Sequence, residues 1–211
     1  MKNPIYLSRR NPKVKCLTFS LPSKKTCPGS TPACRAICYA AATEAIYKET
    51  LPCRMRALDI TRRDDFVDLM VAKLSKARSD VLRVHESGDF YDQTYVEKWA
   101  EIARRLPHMK FYAYTRSWML DFSSLLALPN FKLRYSVDAS TKHWLDGMPK
   151  ALAGSTYPGE DYVRCPGSAG GDVKCIRDCR LCVDTDANIY FHAHGVHKKK
   201  IEQFEEMRKA A

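Results

Sequence analysis

Seven of the chain's nine cysteines fall into two tight groups, and this spacing constrains the fold more than any other feature. Cys27, Cys34 and Cys38 lie in KTCPGSTPACRAICYA, Cys165, Cys175, Cys179 and Cys182 lie in CPGSAGGDVKCIRDCRLC, and Cys16 and Cys53 stand alone. An odd count excludes complete internal pairing. The chain has 211 residues, too many to need a disulfide scaffold, and disulfides do not persist in reducing cytosol. No run of 18 apolar residues occurs, and the amino terminus, MKNPIYLSRRNPKVK, lacks the apolar core of a signal peptide. The expected protein is soluble and cytoplasmic, with no membrane contact. The remaining reasons for so many thiols are metal ions, iron–sulfur clusters or redox chemistry. Buried free thiols are the alternative for the triplet, but Pro28, Gly29 and Pro32 suit an irregular ligand loop better.

Between Cys53 and Cys165 the chain reads as ordinary secondary structure. The short apolar run Val14–Ser20 predicts a strand feeding the first cysteine loop. Residues 35–77 predict helix, interrupted near Leu51-Pro52 because proline disfavours helical geometry in its predecessor. Val81–His85 predicts a second strand, and Tyr95, Trp99, Ile102 and Leu106 form one apolar helical stripe capped by Asp92. Lys110–Thr115 and Phe131–Val137 predict strands three and four, with a helix around Ser123–Leu128 between them. A weaker helix over Thr141–Leu152, strands near Tyr162 and over Asn188–His192, and a helix from His197 complete the reading. Alternating strand and helix imply parallel strands joined by right-handed crossovers, hence an α/β sheet or partial (β/α) barrel. The expectation is a single domain over residues 1–211 carrying a cysteine-rich insertion at 158–184, whose stretch Pro158–Asp172 is rich in Gly and Pro.

Active sites of parallel α/β folds gather at the carboxyl ends of the strands. The triplet follows strand one, Glu86-Ser87-Gly88-Asp89 ends strand two, Thr115-Arg116-Ser117-Trp118 ends strand three, and Ser136-Val137-Asp138 ends strand four. Three thiols and several polar groups therefore converge on one rim.

In this order of motifs the chain resembles the radical S-adenosylmethionine enzymes, in which three cysteines hold a [4Fe–4S] cluster and a Gly-Gly-Glu-like turn receives the cofactor's amine. The resemblance implies Cys27, Cys34 and Cys38 as cluster ligands, Ser87-Gly88-Asp89 at the amine-binding turn, and Ser136 and Asp138 near the ribose. Those enzymes use C-x3-C-x2-C, whereas this chain has C-x6-C-x3-C and a single glycine with a shorter acid. TCPGSTPACRAICYA, ESGDFYDQTYVEKW and YTRSW also resemble the mycobacteriophage gene product 88 family over most of the chain. That likeness implies a phage protein working in a bacterial host cytoplasm and brings no reaction with it.

The quartet, C-x9-C-x3-C-x2-C, can supply all ligands of a closed [4Fe–4S] cluster or a tetrahedral zinc site, and iron is favoured because only Cys179 and Cys182 have the paired spacing common in zinc sites. One cluster or two, the former drawing ligands from both groups, stay open. Ser87-Gly88-Asp89 reads equally as a strand-to-helix turn, and Ser136 and Asp138 as a plain strand end. His192, His194 and His197 read as strand-end and turn composition rather than ligands. Arg116 and Trp118 read either as a base or carboxylate reader or as packing.

Basic residues number 35 against 24 acidic, a formal charge of +11 that metal-bound thiolates would reduce. They are scattered as Arg9-Arg10, Lys24-Lys25, Arg62-Arg63, Arg104-Arg105 and Lys198-Lys199-Lys200. Two functions from different classes follow. One is a radical enzyme of unknown substrate. The other is an iron–sulfur protein independent of S-adenosylmethionine, whose basic surface binds nucleic acid or a host protein. A structural zinc protein is third.

Overall fold

The computed structural model describes residues 3–9, 11–168, 170 and 172–210. Its centre is one seven-stranded sheet formed by β1 (Leu17–Phe19), β2 (Val81–Val84), β3 (Lys110–Thr115), β4 (Phe131–Val137), β5 (Lys150–Gly154), β6 (Val163–Arg164) and β7 (Ile189–His192). Every pairing is parallel, in the order β1-β2-β3-β4-β5-β7-β6. The helices are α1 (Pro32–Ala36), α2 (Tyr39–Ile46), α3 (Thr50–Thr61), α4 (Phe66–Leu74), α5 (Gln93–Arg105), α6 (Ser123–Leu126), α7 (Leu181–Asp184) and α8 (Lys198–Ala210). The expected strand–helix alternation is therefore present as a mixed α/β fold. No helix among the described residues is long and apolar enough to cross a membrane.

Side-chain alternation divides the sheet into two faces. Phe111 and Ala113 of β3, Leu82 and Val84 of β2, and Phe131, Leu133, Tyr135 and Val137 of β4 enter the main core, where α4 and α5 supply Phe66, Met70, Tyr95 and Trp99. Trp99 is fully buried and meets Phe19 and Phe66 edge-on. Asp92 caps α5 as the sequence predicts, its Oδ1 accepting from Tyr95 N at 2.8 Å. The opposite face carries Arg83, Tyr112, Tyr114, Ser136, Ala151, Ala153 and Phe191, so five strands line one cavity of about 440 Å³.

Two expected helices differ from the structure. Residues 141–149 form no helix and Lys150–Gly154 is β5, pairing with β4 and β7. Gly147 at φ +71° and Pro149 forbid a continuous helix there, and ladder hydrogen bonds to two neighbours decide the rest. Residues 35–77 divide into four helices, and the break lies before Thr50 rather than at Pro52. Pro52 sits in the first turn of α3, where a backbone N–H has no intrahelical acceptor, so its missing donor costs nothing.

The 158–184 segment lies between β5 and β7. It supplies β6, a short turn over Pro166–Ser168 and α7, and residues 169 and 171 of the glycine-rich stretch lie outside the described set, as does Arg10. The segment reaches back to the start of the sheet, where Cys175 bridges Val14, just ahead of β1.

Candidate functional site

The triplet loop rests on the carboxyl ends of β2, β3 and β4. After β1, Leu21 N donates to Ser87 O at 2.8 Å and Ser87 Oγ donates to Leu21 O at 2.9 Å. Gly88, at φ +84°, has no room for a side chain: a Cβ there would lie 2.6 Å from Leu21 Cβ and from Thr26 Oγ1. Gly29 is held more closely still, because a Cβ would fall 1.7 Å from the Arg116 carbonyl oxygen. Thr31 caps α1, its Oγ1 accepting from Cys34 N at 3.1 Å and donating to Asp138 Oδ2 at 2.6 Å. The same carboxylate oxygen meets Arg116 Nη1 at 2.9 Å, and Oδ1 accepts from Ser140 N and Oγ, each at 2.9 Å.

Ser87, Gly88 and Asp138 thus meet the cysteine loop directly, while Asp89 fixes the strand end at Arg116. Asp89 is buried, and its two oxygens accept from Phe90 N at 2.7 Å and Arg116 N at 2.8 Å. Burial pushes its carboxyl up to about 6, opposed chiefly by the Arg116 N–H. Ser136 faces the cavity, and its carbonyl accepts from Arg116 Nη1 at 3.1 Å.

Cys27, Cys34 and Cys38 are free thiols of intermediate exposure and share one electrostatic neighbourhood. Burial pushes the Cys27 thiol up to about 12, and the Asp89 carboxylate, Cys34 and Cys38 add to the rise. Cys34 is raised by burial first; Arg116 opposes this, while Cys38, Asp138 and Asp89 reinforce it. The rise at Cys27 and Cys34 favours their protonated thiols, and a metal centre would deprotonate them on binding.

The quartet lines the cavity on the sheet's other face. Cys175 is raised by burial, then by Cys165, and feels Cys179 as well. Burial pushes Cys182 up to about 11, with Cys165 and Cys175 contributing to the rise. Cys175 and Cys182 lie toward the amino ends of the first strands, against a small buried cluster with Val14, Val81, Tyr112 and Val183, whereas Cys165 directly follows β6. Arg134 of β4, 1% exposed, roots the segment by donating to the carbonyls of Cys182, Thr185 and Ala187 at 2.9, 2.5 and 2.9 Å. Cys16 lies on the same side, 4.0 Å from the Tyr112 hydroxyl, whereas Cys53 sits in α3, apart from both groups.

Thiols are the donors that soft metals and iron–sulfur clusters take, so the donor chemistry of both groups fits such a centre. As the side chains stand, no three His, Cys, Asp or Glu among the described residues converge closely enough to hold a metal ion. His192 Nδ1 meets Tyr190 Oη at 3.0 Å, and the His143 ring stacks on Trp118 with centroids 3.7 Å apart. Arg116 is committed to Asp138. Sequence reasoning missed Arg83, Arg134, Gly29 and Thr31; the signal for the two arginines was a charged residue amid the apolar runs VLRVH and FKLRYSV.

The gene product 88 family model matches residues 2–204. The gene 88 protein of Mycobacterium phage L5 is 28% identical over 210 residues, covering 82% of this chain and 85% of that protein. The gene 88 protein of Mycobacterium phage D29 is 26% identical over 206 residues, with the same coverage. No solved structure matches. With the match running nearly from end to end and taking in both cysteine groups, the chain belongs to the gene product 88 family.

Proposed function

We propose that this protein is an iron–sulfur protein built on a partial (β/α) barrel of the radical S-adenosylmethionine type, with Cys27, Cys34 and Cys38 holding a [4Fe–4S] cluster and an unidentified substrate. The observation that carries this reading is the shared neighbourhood of three free thiols at the carboxyl rim of an all-parallel sheet. The hydrogen bond that Ser87 donates to Leu21, and the one that Asp138, itself paired with Arg116, accepts from Thr31, support it, because they fix the loop that carries the thiols. When bound, such a cluster supplies an electron for reductive cleavage of S-adenosylmethionine. The chain's own groups then position the thiols. Cys165, Cys175, Cys179 and Cys182 would hold a second, closed centre, of iron–sulfur or zinc type.

A second reading, an iron–sulfur protein that uses no S-adenosylmethionine and presents a basic surface to nucleic acid or a host protein, is favoured by one observation. Ser87 and Asp89, which the radical-enzyme likeness assigns to the cofactor, already have all their side-chain oxygens in hydrogen bonds.

Anaerobic purification, iron and acid-labile sulfide assays, and the electron paramagnetic spectrum of the reduced protein with and without S-adenosylmethionine decide among these. A spectrum perturbed by the cofactor, with cofactor cleavage, supports the enzyme; a coloured protein indifferent to it supports the second reading. Cys34→Ala is expected to remove the rim cluster and leave the quartet's metal in place. Well-folded anoxic protein without sulfide overturns both iron–sulfur readings, and zinc in its place leaves a structural metal protein.

A further inference from the structure

Among the described residues, the cavity's lining carries positive charge and no carboxylate. Lys13, Arg83 and Arg116 line it, and no Asp or Glu does. Two of these cations are engaged: Lys13 Nζ donates to Gly167 O at 2.5 Å, and Arg116 pairs with Asp138 at 2.9 Å. Arg83, on β2, makes no ion pair among the described residues, and its fully buried Nε has no hydrogen-bond partner. The acid nearest in influence is Glu86, whose oxygens are taken by Asn11 Nδ2 and Thr18 Oγ1 at 2.7 and 3.0 Å. Arg83 is half-buried with its fork on the cavity; a buried donor such as its Nε is costly to leave unpaired, and the planar fork matches carboxylate and phosphate oxygens.

The walls beside Arg83 are aromatic. Its guanidinium carbon lies 5.5 Å from the centroid of the Tyr114 ring, and that ring meets Phe191 edge-on at 5.7 Å and Tyr112 at 6.1 Å. Ala151 and Ala153 keep the β5 side shallow, leaving a volume of about 440 Å³, within the range of small-molecule sites. Aromatic and small apolar walls on one side, the four thiols on another and the unpaired Arg83 between them form an orienting pocket for a small ligand.

We propose that this cavity binds a small organic oxyanion, a carboxylate or a phosphate ester, with its anionic group on Arg83 and an unsaturated body against Tyr114 and Phe191. The site goes beyond the cluster reading and does not depend on it. The competing role for Arg83 is as counter-charge to the quartet, since it lies within electrostatic reach of Cys175.

Calorimetric titration of the full anaerobic protein with benzoate, phenyl phosphate and neutral benzyl alcohol tests this, with iron, zinc and sulfide measured on the same samples. At least one anion is expected to bind, benzyl alcohol at least about tenfold more weakly, and the tighter anion names the headgroup. Arg83→Met should weaken the anion about tenfold or more while Arg83→Lys loses less. Phe191→Ala should weaken it with metal content and circular dichroism unchanged. If Arg83→Met does not fold, the anion-to-neutral comparison on the unaltered protein and Phe191→Ala decide. Absence of anion binding overturns the proposal, as does anion binding indifferent to both Arg83→Met and Phe191→Ala. Loss of quartet metal in Arg83→Met without any anion binding to the parent protein assigns the guanidinium to the thiolates instead and also overturns it. Failure of the cluster reading appears separately, as missing iron and sulfide in a protein that still binds the anion.

Discussion

Arg116 Nη1 stands 2.9 Å from Asp138 Oδ2, an ion pair with side chains only 15% and 7% exposed that locks the carboxyl ends of β3 and β4 together. Because Thr31 Oγ1 shares that carboxylate oxygen, the pair also fixes the start of α1 and with it Cys34. Asp138→Asn leaves the guanidinium buried without its counter-charge, and stability should fall by about 3–5 kcal/mol in urea denaturation. Cys34 should react faster with a thiol reagent under native conditions; an unchanged rate would disconnect the ion pair from the loop.

Gly29 faces a backbone carbonyl that cannot turn aside, so Gly29→Ala must displace either the loop or the end of β3. The expected result is loss of iron at the triplet with the quartet's metal retained. Gly159→Ala provides the contrast for space, since nothing lies within 4 Å of a Cβ there; its φ of +118° makes it a strain control as well. Gly29 itself is not at positive φ, so equal metal loss in both variants would point to general destabilisation rather than to the close approach.

Arg134 should matter to the other group of thiols. Arg134→Met removes the donors that hold the carbonyls of Cys182, Thr185 and Ala187, leaving buried acceptors unmet at roughly 1–3 kcal/mol each. Hydrogen exchange over residues 181–187 should quicken, and quartet metal should fall before triplet metal does. Uniform exchange across the sheet instead would make the arginine a general core residue.

His85 gives the fold a defined acid sensitivity. Its ring is buried against Phe90 and Tyr95, and burial, with the Arg83 cation, pulls its pKa down to about 3 from an ordinary 6.5. The folded chain therefore binds fewer protons than the unfolded chain between those values. The contribution is fully present above about pH 6.5 and is lost as pH falls toward 3, by up to about 1.4 kcal/mol per unit. His85→Asn suits the residue's φ of +69° and removes the titration. Urea midpoints measured across this range should slope less in the variant than in the parent, though the variant starts lower at neutral pH.

Much of the sheet was legible because its central strands are short apolar runs whose two-residue alternation feeds a single core, as in KFYAYT, and because Asp92 announces α5. Lys150–Gly154 was not, since two alanines and a glycine carry little strand preference and become a strand only between β4 and β7. The two cysteine groups could be read from spacing alone. The work of Ser87, Gly88, Asp89 and Asp138 could not, because their partners, Leu21, Thr31 and Arg116, lie far away in sequence. Arg83 was hidden for a related reason: an inward charge has meaning only when the absence of a carboxylate around it is seen in space.

The bridge from Val14 to Cys175 joins a residue near the beginning of the chain to one made late. On the ribosome, the Ser87, Asp138 and Ser140 partners of the triplet loop have been made once Ser140 is out, whereas α8, whose Lys200 Nζ donates to the Ala36 carbonyl of α1, and the strand-edge bridge at Cys175 come only later. Both thiol groups therefore complete their surroundings late, and a nascent chain stalled after Ser140 would hold its first three cysteines on sheet contacts alone, without α8 against α1.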